Sequence, residues 1–334
     1  MGGLLYQHFR NQFLTLARQK NLDLVSFEHA ELGPEGEKLF TDYAIFHGQK
    51  NHPTLIHLSG LHGVEGYFGS LLQQKILESF DFNSMSSPMI FVHAVNPYGM
   101  SWYQRTNPEN VDLNRNCWND RPIYNSEFLQ FEKFLAALNG RNPFNQTFQF
   151  AKLLPLISRL GLKKVTEIIT GGQSVAPHSI FYSGEELQPE LQSLLAHLQR
   201  MTKQEDRLRV IDVHTGLGAF AQESLIVDGF QSENDVPFWS KHFQASIIDP
   251  STDPRTYRAE GVLPLLIRRH WPKTHYVVQE FGTYSGFKML QALVRDEPEQ
   301  ALHAFFPDDL RWRQTCLQTG LLRFNQLATA VKTE

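Results

Sequence analysis

Residues 54–80, TLIHLSGLHGVEGYFGSLLQQKILESF, decide the fold. The run TLIHLSG is short and mainly apolar, which predicts a buried strand over 54–60. Apolar residues then recur at helical spacing, which predicts a helix over 65–80. His62 and Glu65 follow the strand directly. Open α/β sheets carry their functional groups at such strand ends, so this junction is the first candidate site.

The alternation of strand and helix continues in both directions along the chain. The apolar patterns predict further elements: a helix over 4–19, extended segments at 23–28 and 39–46, strands at 88–96, 209–215, 223–228 and 275–281, and helices near 126–138 and 308–330. Strands separated by helices are typical of a parallel or mixed sheet covered on both faces. We expect one α/β domain over residues 1–334.

Two neighbouring stretches are interpreted separately. Residues 139–149 contain Asn, Gln and Gly, which indicates a surface loop. Residues 150–205 are rich in helical patterns and lie between two predicted core strands. We interpret them as a helical insertion that covers one face of the sheet.

Composition excludes several classes of protein. The 31 Lys and Arg residues against 35 Asp and Glu residues leave a net charge of −4, which argues against a nucleic-acid partner. Two cysteines, Cys117 and Cys316, cannot form a disulfide framework. Arg10 and Arg18 interrupt any apolar segment near the N-terminus, and no run approaches the about 18 apolar residues of a membrane span. We expect a cytoplasmic protein with no membrane partner.

His62 and Glu65 are candidate metal ligands. Their spacing lets an imidazole and a carboxylate converge on one Zn²⁺ ion, and His214 at the end of strand 209–215 can supply a third ligand. Asp212 lies on the same face of that strand as His214 and can contact it from behind. Three ligands leave one position open, which is typical of catalytic zinc. Taken singly, His62 and His214 are better explained as ordinary loop and strand-end histidines, and it is their combination that favours a metal site.

Two further blocks carry polar side chains at predicted strand ends. NPYGMSWYQRTNPENVDLNRN, residues 96–116, contains Arg105, which could stabilise an oxyanion, and Asn114 with Arg115, which could hold a carboxylate. In YVVQEFGTYSG, Glu280 stands at the end of an apolar strand and is a candidate general base with a raised pKa. The open alternatives are solvated arginines for the first block and a helix cap for Glu280.

In their order along the chain, these blocks resemble the zinc metallocarboxypeptidases. HGVE at 62–65, NPYG at 96–99 and VDLNRN at 111–116 carry the resemblance, together with Arg105, His214 and Glu280. It is nearest to a branch of bacterial carboxypeptidase-like proteins related to succinylglutamate desuccinylase and aspartoacylase.

The resemblance implies a single domain with a mixed, twisted sheet of about eight strands between helices. It implies that His62, Glu65 and His214 bind one Zn²⁺ per chain, and that Glu280 acts as general base and then general acid on a zinc-activated water. It further implies that Arg105 polarises the scissile carbonyl, and that Asn114 and Arg115 bind the substrate carboxylate.

The resemblance leaves the substrate open. A carboxypeptidase-like enzyme would cleave a small peptide, whereas a deacylase of the aspartoacylase type would cleave an N-acyl amino acid. A binding protein that keeps the fold without catalysis is a further alternative. Tyr257 and Tyr284 are candidates for a tyrosine over the substrate, residues 171–184 have no assigned role, and the sequence does not indicate the oligomeric state.

Overall fold

The computed structural model describes residues 2–49, 51–118, 120–140, 142–228, 232–253, 256–295 and 297–332. The strands are β1 Asp23–Leu32, β2 Lys38–Phe46, β3 Thr54–Ser59, β4 Met89–His93, β5 Leu208–Gly216, β6 Glu223–Ile226, β7 Ile247–Ile248 and β8 His275–Gly282. The helices are α1 Gly2–Gln19, α2 Gly66–Ser79, α3 Pro97–Ser101, α4 Glu132–Asn139, α5 Pro143–Leu160, α6 Leu162–Thr170, α7 Pro189–Met201, α8 Ser232–Phe243, α9 Leu263–His270, α10 Gly286–Val294, α11 Pro298–Phe305 and α12 Leu310–Val331.

Within the described residues, eight strands form one mixed sheet in the order β1-β2-β4-β3-β5-β8-β6-β7. The four central strands, β4, β3, β5 and β8, are parallel, and antiparallel pairs join them to β2 and β6 at the two sides. The predicted α/β class and the mixed sheet of about eight strands are confirmed. The carboxyl ends of the central strands lie at one edge of the sheet, where the candidate site residues are found either in the last residues of a strand or just after it.

Two hydrophobic clusters cover the two faces of this sheet. Strand β5 is buried throughout, and successive residues join opposite clusters: Val210 packs with α7 and α9, and Ile211 packs with α1, α2 and α12. This alternation follows from the two-residue period of a strand. A strand covered on both faces must be apolar nearly throughout, as in the stretch that opens at residue 54.

A third cluster is formed by the helices between β4 and β5. We call residues 126–170 the helical wall: a 3-10 helix, Ser126–Gln130, followed by α4, α5 and α6. Phe128, Phe131 and Ile168 are among its buried side chains, and α10 packs against it through Leu290 and Leu293. None of the helices in the described part of the chain is both long and apolar enough to cross a membrane.

The prediction of a surface loop over 139–149 is wrong. Residue 141 of this stretch lies outside the described residues. Helix α5 begins at Pro143, inside that stretch, and Asn142 caps it by accepting hydrogen bonds from the backbone N–H groups of Phe144 and Asn145. Asn and Pro favour loops, but they equally favour the cap and first turn of a helix. The pattern was therefore a helix start.

Candidate metal centre

The turn after β3 brings His62 and Glu65 to the edge of the sheet. Gly60 has φ +71°, a conformation that glycine adopts without strain and that turns the chain out of the strand. The 3-10 helix Gly63–Glu65 then lies against α3, where a Cβ on Gly63 would come within 2.1 Å of the Gly99 backbone. The absence of a side chain on Gly63 therefore allows the two segments to touch.

His62, Glu65 and His214 meet at this edge, and their candidate ligand atoms all lie within 4.8 Å of one another. The Nδ1 atoms of the two histidines are 3.0 Å apart. Glu65 Oε1 lies 2.9 Å from Nδ1 of His62, and Oε2 lies 3.0 Å from Nδ1 of His214. All three residues are buried. The structure thus brings together the three side chains that the sequence proposed.

A carboxylate lies behind each histidine. Nε2 of His214 is 2.9 Å from Asp212 Oδ2, and the Tyr276 hydroxyl donates to the same oxygen at 2.7 Å. Nε2 of His62 is 3.2 Å from Asp112 Oδ1, an ion-pair distance without ideal hydrogen-bond alignment. The Nδ1 atoms are therefore the ones that face the shared point. This is the usual arrangement of metal-binding histidines, whose second nitrogen is held by an outer carboxylate.

The donor set fits zinc. Two imidazole nitrogens and one carboxylate are ligands that catalytic Zn²⁺ sites use. Burial alone would raise the pKa of Glu65, but the neighbouring imidazoles hold it well below its usual value. Burial would likewise lower the pKa of His214, but the carboxylates of Asp212 and Glu65 raise it well above its usual value. The buried carboxylates thus favour positive charge at this point.

Glu280 lies beside this group. It pairs in register with His214 across β5 and β8, so both side chains lie on the same face of the sheet. Its Oε1 accepts a hydrogen bond from the backbone N–H of Leu217 at 2.9 Å. Burial, and then the negative charge of Glu65, raises the pKa of Glu280 to about 8. A raised pKa is what a general base and acid near neutral pH requires.

Arg105 is joined to the cluster through Asp112. Its Nε donates to Asp112 Oδ2 at 2.9 Å, and its Nη1 donates to Glu65 Oε1 at 3.1 Å. Asp112 therefore holds both Arg105 and His62, a role that the sequence analysis did not assign. The available signal was that Asp112 is the one carboxylate in VDLNRN.

Asn114 and Arg115 are held by the surrounding backbone. Asn114 Oδ1 accepts from the N–H of Leu263 at 2.9 Å. Arg115 Nε donates to the Thr170 carbonyl at 2.9 Å, and Nη1 donates to the Asn114 carbonyl at 2.7 Å. Both side chains line the cleft. Among the described residues, Nδ2 of Asn114 and Nη2 of Arg115 have no hydrogen-bond partner, so each residue keeps a donor for a bound anion.

The segment 171–184 supports these residues from behind. A Cβ on Gly172 would come within 3.1 Å of Cδ of Arg115, so the chain passes directly against that side chain. Asn116 Nδ2 donates to the Ser183 carbonyl, and Gln173 bonds to the backbone of its own loop. This segment thus braces the Asn114–Asn116 turn.

The candidate ligands, the candidate base and the candidate substrate-binding residues border one cleft of about 680 Å³. His62, Glu65, His214 and Glu280 lie in its lining, as do Arg105, Asn114 and Arg115. Tyr257 and Tyr284 line it too, which leaves both as candidates for the tyrosine over the substrate.

The sequence model of one protein family, described as "Protein of unknown function (DUF2817)", matches residues 4–319. The chain belongs to this family. A search of curated proteins gives no match. The family description assigns no activity.

The chain superposes on solved structures of other proteins. Thrombin activatable fibrinolysis inhibitor superposes with a TM-score of 0.57 at 11% identity, over 98% of this chain and 74% of that one. Carboxypeptidase A from Helicoverpa armigera gives 0.48 at 14%, over 96% and 72%. A succinylglutamate desuccinylase from Silicibacter sp. TM1040 gives 0.41 at 14%, over 85% and 67%. The first of these superpositions covers nearly the whole chain, and the predicted carboxypeptidase-like α/β fold is confirmed.

Proposed function

We propose that this protein is a zinc-dependent hydrolase that cleaves an amide bond next to a carboxylate-bearing group, most simply as a carboxypeptidase-like metallopeptidase. One observation carries the proposal: the Nδ1 atoms of His62 and His214 and the carboxylate of Glu65 converge, with Glu280 beside them. A structural zinc site would be closed by four protein ligands, usually cysteines. A three-ligand group open to a cleft supports catalysis.

His62, Glu65 and His214 would hold the ion through the atoms that face one another. When bound, Zn²⁺ supplies a Lewis acid that polarises a carbonyl group and acidifies water. Asp112 and Asp212 keep the two imidazoles oriented, since each contacts an Nε2 atom. The ligands are thereby arranged before the ion binds.

The remaining groups divide the chemistry of amide hydrolysis among them. Glu280 accepts a proton from the attacking water and delivers it to the leaving amine nitrogen. Arg105 donates a hydrogen bond to the carbonyl oxygen as negative charge develops there. The donors of Asn114 and Arg115 hold the substrate carboxylate, which fixes the amide relative to Glu280. This division gives a role to each of these four side chains and none to Tyr257 or Tyr284.

The substrate is proposed as a small peptide, with an N-acyl amino acid as the alternative. Both carry an amide next to a carboxylate, and Asn114 with Arg115 could bind either. The two classes differ in the group on the carbonyl side of the amide, which is a further amino acid in a peptide and an acyl group in an N-acyl amino acid.

A paired hydrolysis screen tests the proposal. Peptides with free C-termini and N-acyl amino acids are each incubated with zinc-loaded protein, and the release of free amino acid is measured. The controls are chelated protein and the Glu280→Gln variant. Release that requires both zinc and Glu280 supports the proposal, and the more active series identifies the substrate class. Zinc-loaded protein that hydrolyses neither series would contradict it.

A further inference from the structure

The cleft does not end at the charged groups but continues along the helical wall. The side chains that line this part are apolar and come from α4, α5, α6 and α10: Phe134, Leu153, Val165, Ile169, Leu290 and Leu293. They belong to, or pack against, the third hydrophobic cluster. One face of that cluster is thus turned to a cavity and not to another element.

The two threonine hydroxyl groups of α6 in the cleft lining form hydrogen bonds within their own helix. Thr166 and Thr170 of α6 both line the cleft, yet their hydroxyls donate to carbonyls of their own helix, those of Leu162 and Thr166. Threonine hydroxyls in helices commonly bond in this way. What these residues can offer the cleft is mainly their methyl groups.

Phe181 joins the apolar wall to the charged residues. Its ring lies 5.3 Å from the guanidinium carbon of Arg105 and 5.6 Å from that of Arg115. It is buried in the third cluster. A molecule held by these arginines would therefore extend directly onto the apolar surface.

From this juxtaposition we infer that the substrate carries a large apolar group, which binds along the helical wall. The inference rests on the proposed function for the position of the amide. Packed protein interiors leave few voids larger than a water molecule. The cleft of about 680 Å³ falls instead within the range of pockets that hold drug-sized ligands. The apolar group could be the acyl chain of an N-acyl amino acid or the side chains of a peptide.

Binding to the zinc-loaded Glu280→Gln variant tests the inference without requiring turnover. The dissociation constant is measured by calorimetry for N-acetyl-, N-butanoyl- and N-octanoylglycine. It is also measured for Gly-Gly and for the dipeptides in which Leu or Phe replaces Gly at either position. Burial of each methylene should tighten binding about fourfold, which is the ~0.8 kcal/mol of a buried CH₂ converted to affinity. A rise with acyl length identifies an acyl chain, and a rise only among dipeptides identifies peptide side chains. Equal affinity throughout both series overturns the inference.

A matched pair of variants locates the effect. Phe150 lines the cleft and is 44% exposed, whereas Phe148 on the same helix is 58% exposed and lies outside the cleft lining. In the Glu280→Gln background, Phe150→Glu should weaken binding of the most apolar ligand about tenfold and leave N-acetylglycine unaffected. Phe148→Glu should change neither. Equal losses in the two variants would mean that the wall is not the binding surface.

The outcomes separate this inference from the proposed function. Affinity that rises with the size of the apolar group, without hydrolysis by the unsubstituted protein, would support apolar binding along the helical wall and contradict the proposed hydrolase activity. Hydrolysis of small and large substrates at equal efficiency, with equal affinities, would support the proposed hydrolase activity and contradict apolar binding along the helical wall.

Discussion

The strand-end cluster of His62, Glu65 and His214 and the helical wall border the same cleft, but different forces hold them. In the cluster, hydrogen bonds and ion pairs join residues as far apart along the chain as 62 and 214. In the wall, apolar contacts join neighbouring helices, and of the side chains described in α5 only that of Leu153 is buried. The cluster is anchored to the central strands, whereas the wall packs against α10 and leaves part of its apolar surface to the cleft.

The difference separates two tasks. Charge-assisted hydrogen bonds are directional, so they can hold ligand atoms in one arrangement. Apolar contacts are non-directional, so a wall made of them can accept groups of varied shape. We therefore expect substitutions in the cluster to abolish metal binding or catalysis. Substitutions in the wall should change which substrates are preferred.

The largest effect is expected from His62→Ala. Loss of one of three ligands should abolish stoichiometric zinc, and loss of the Lewis acid, which contributes several kcal/mol, should lower kcat/KM by at least ~10³. Metal analysis and hydrolysis measure the two results. The control is His8→Ala, an exposed histidine on α1, which should retain zinc. One zinc per chain in His62→Ala would remove this residue from the ligand set.

Glu280→Gln should separate chemistry from metal binding. Gln can still accept the hydrogen bond from Leu217, so the local structure should persist. Turnover should fall by at least ~10², the lower end for loss of a general base, while zinc content stays unchanged. Glu185→Gln, at an exposed position, is the matched control. Near-normal kcat in Glu280→Gln would assign the proton transfer to another group.

Asp112→Asn tests whether the cluster is held from behind. Loss of an outer carboxylate typically weakens metal binding by ~10–100-fold. We expect a weaker zinc affinity in competition with a chelator, and activity that recovers largely in excess zinc. Asp212→Asn should behave alike, because it faces the other histidine. If zinc affinity is unchanged in both, the orientation of the imidazoles comes from packing alone.

Arg115→Ala should act on substrate binding. A hydrogen bond to a charged group contributes ~1.5–3 kcal/mol, so KM for carboxylate-bearing substrates should rise about tenfold or more with zinc content unchanged. Arg115→Lys keeps the charge and should recover part of the loss. An unchanged KM in Arg115→Ala would place the carboxylate site elsewhere.

The strand-end cluster, with Asp212 behind His214, was easier to predict from sequence than the other supporting contacts. The strands are visible in the local apolar pattern of the sequence. The order of His62, Glu65, His214 and Glu280 along the chain is visible there as well. The position of Asp112 between His62 and Arg105 depends on how β3 and the loop after β4 meet, which no local pattern reveals. The contact from Arg115 to the Thr170 carbonyl likewise joins segments 55 residues apart.

The helical wall was predicted less well, for a related reason. Its helices were expected from their apolar spacing, but the start of α5 was misread because Asn142 and Pro143 favour both loops and helix caps. That the apolar face of these helices borders the cleft is a matter of tertiary packing. Amphipathic spacing indicates that a face is covered, without indicating whether protein or ligand covers it.

The smallest effect on chemistry is expected from Leu153→Ala, in the wall. Leu→Ala substitutions in filled cores cost ~2–5 kcal/mol, and Leu153 already borders a cavity, so we expect a cost at or below ~2 kcal/mol in denaturant unfolding. Zinc content and hydrolysis of the smallest substrate should not change, because no hydrogen bond of the cluster reaches α5 in the described residues. Loss of zinc in Leu153→Ala would show that the two regions form one cooperative unit, and the division of tasks between them would then be wrong.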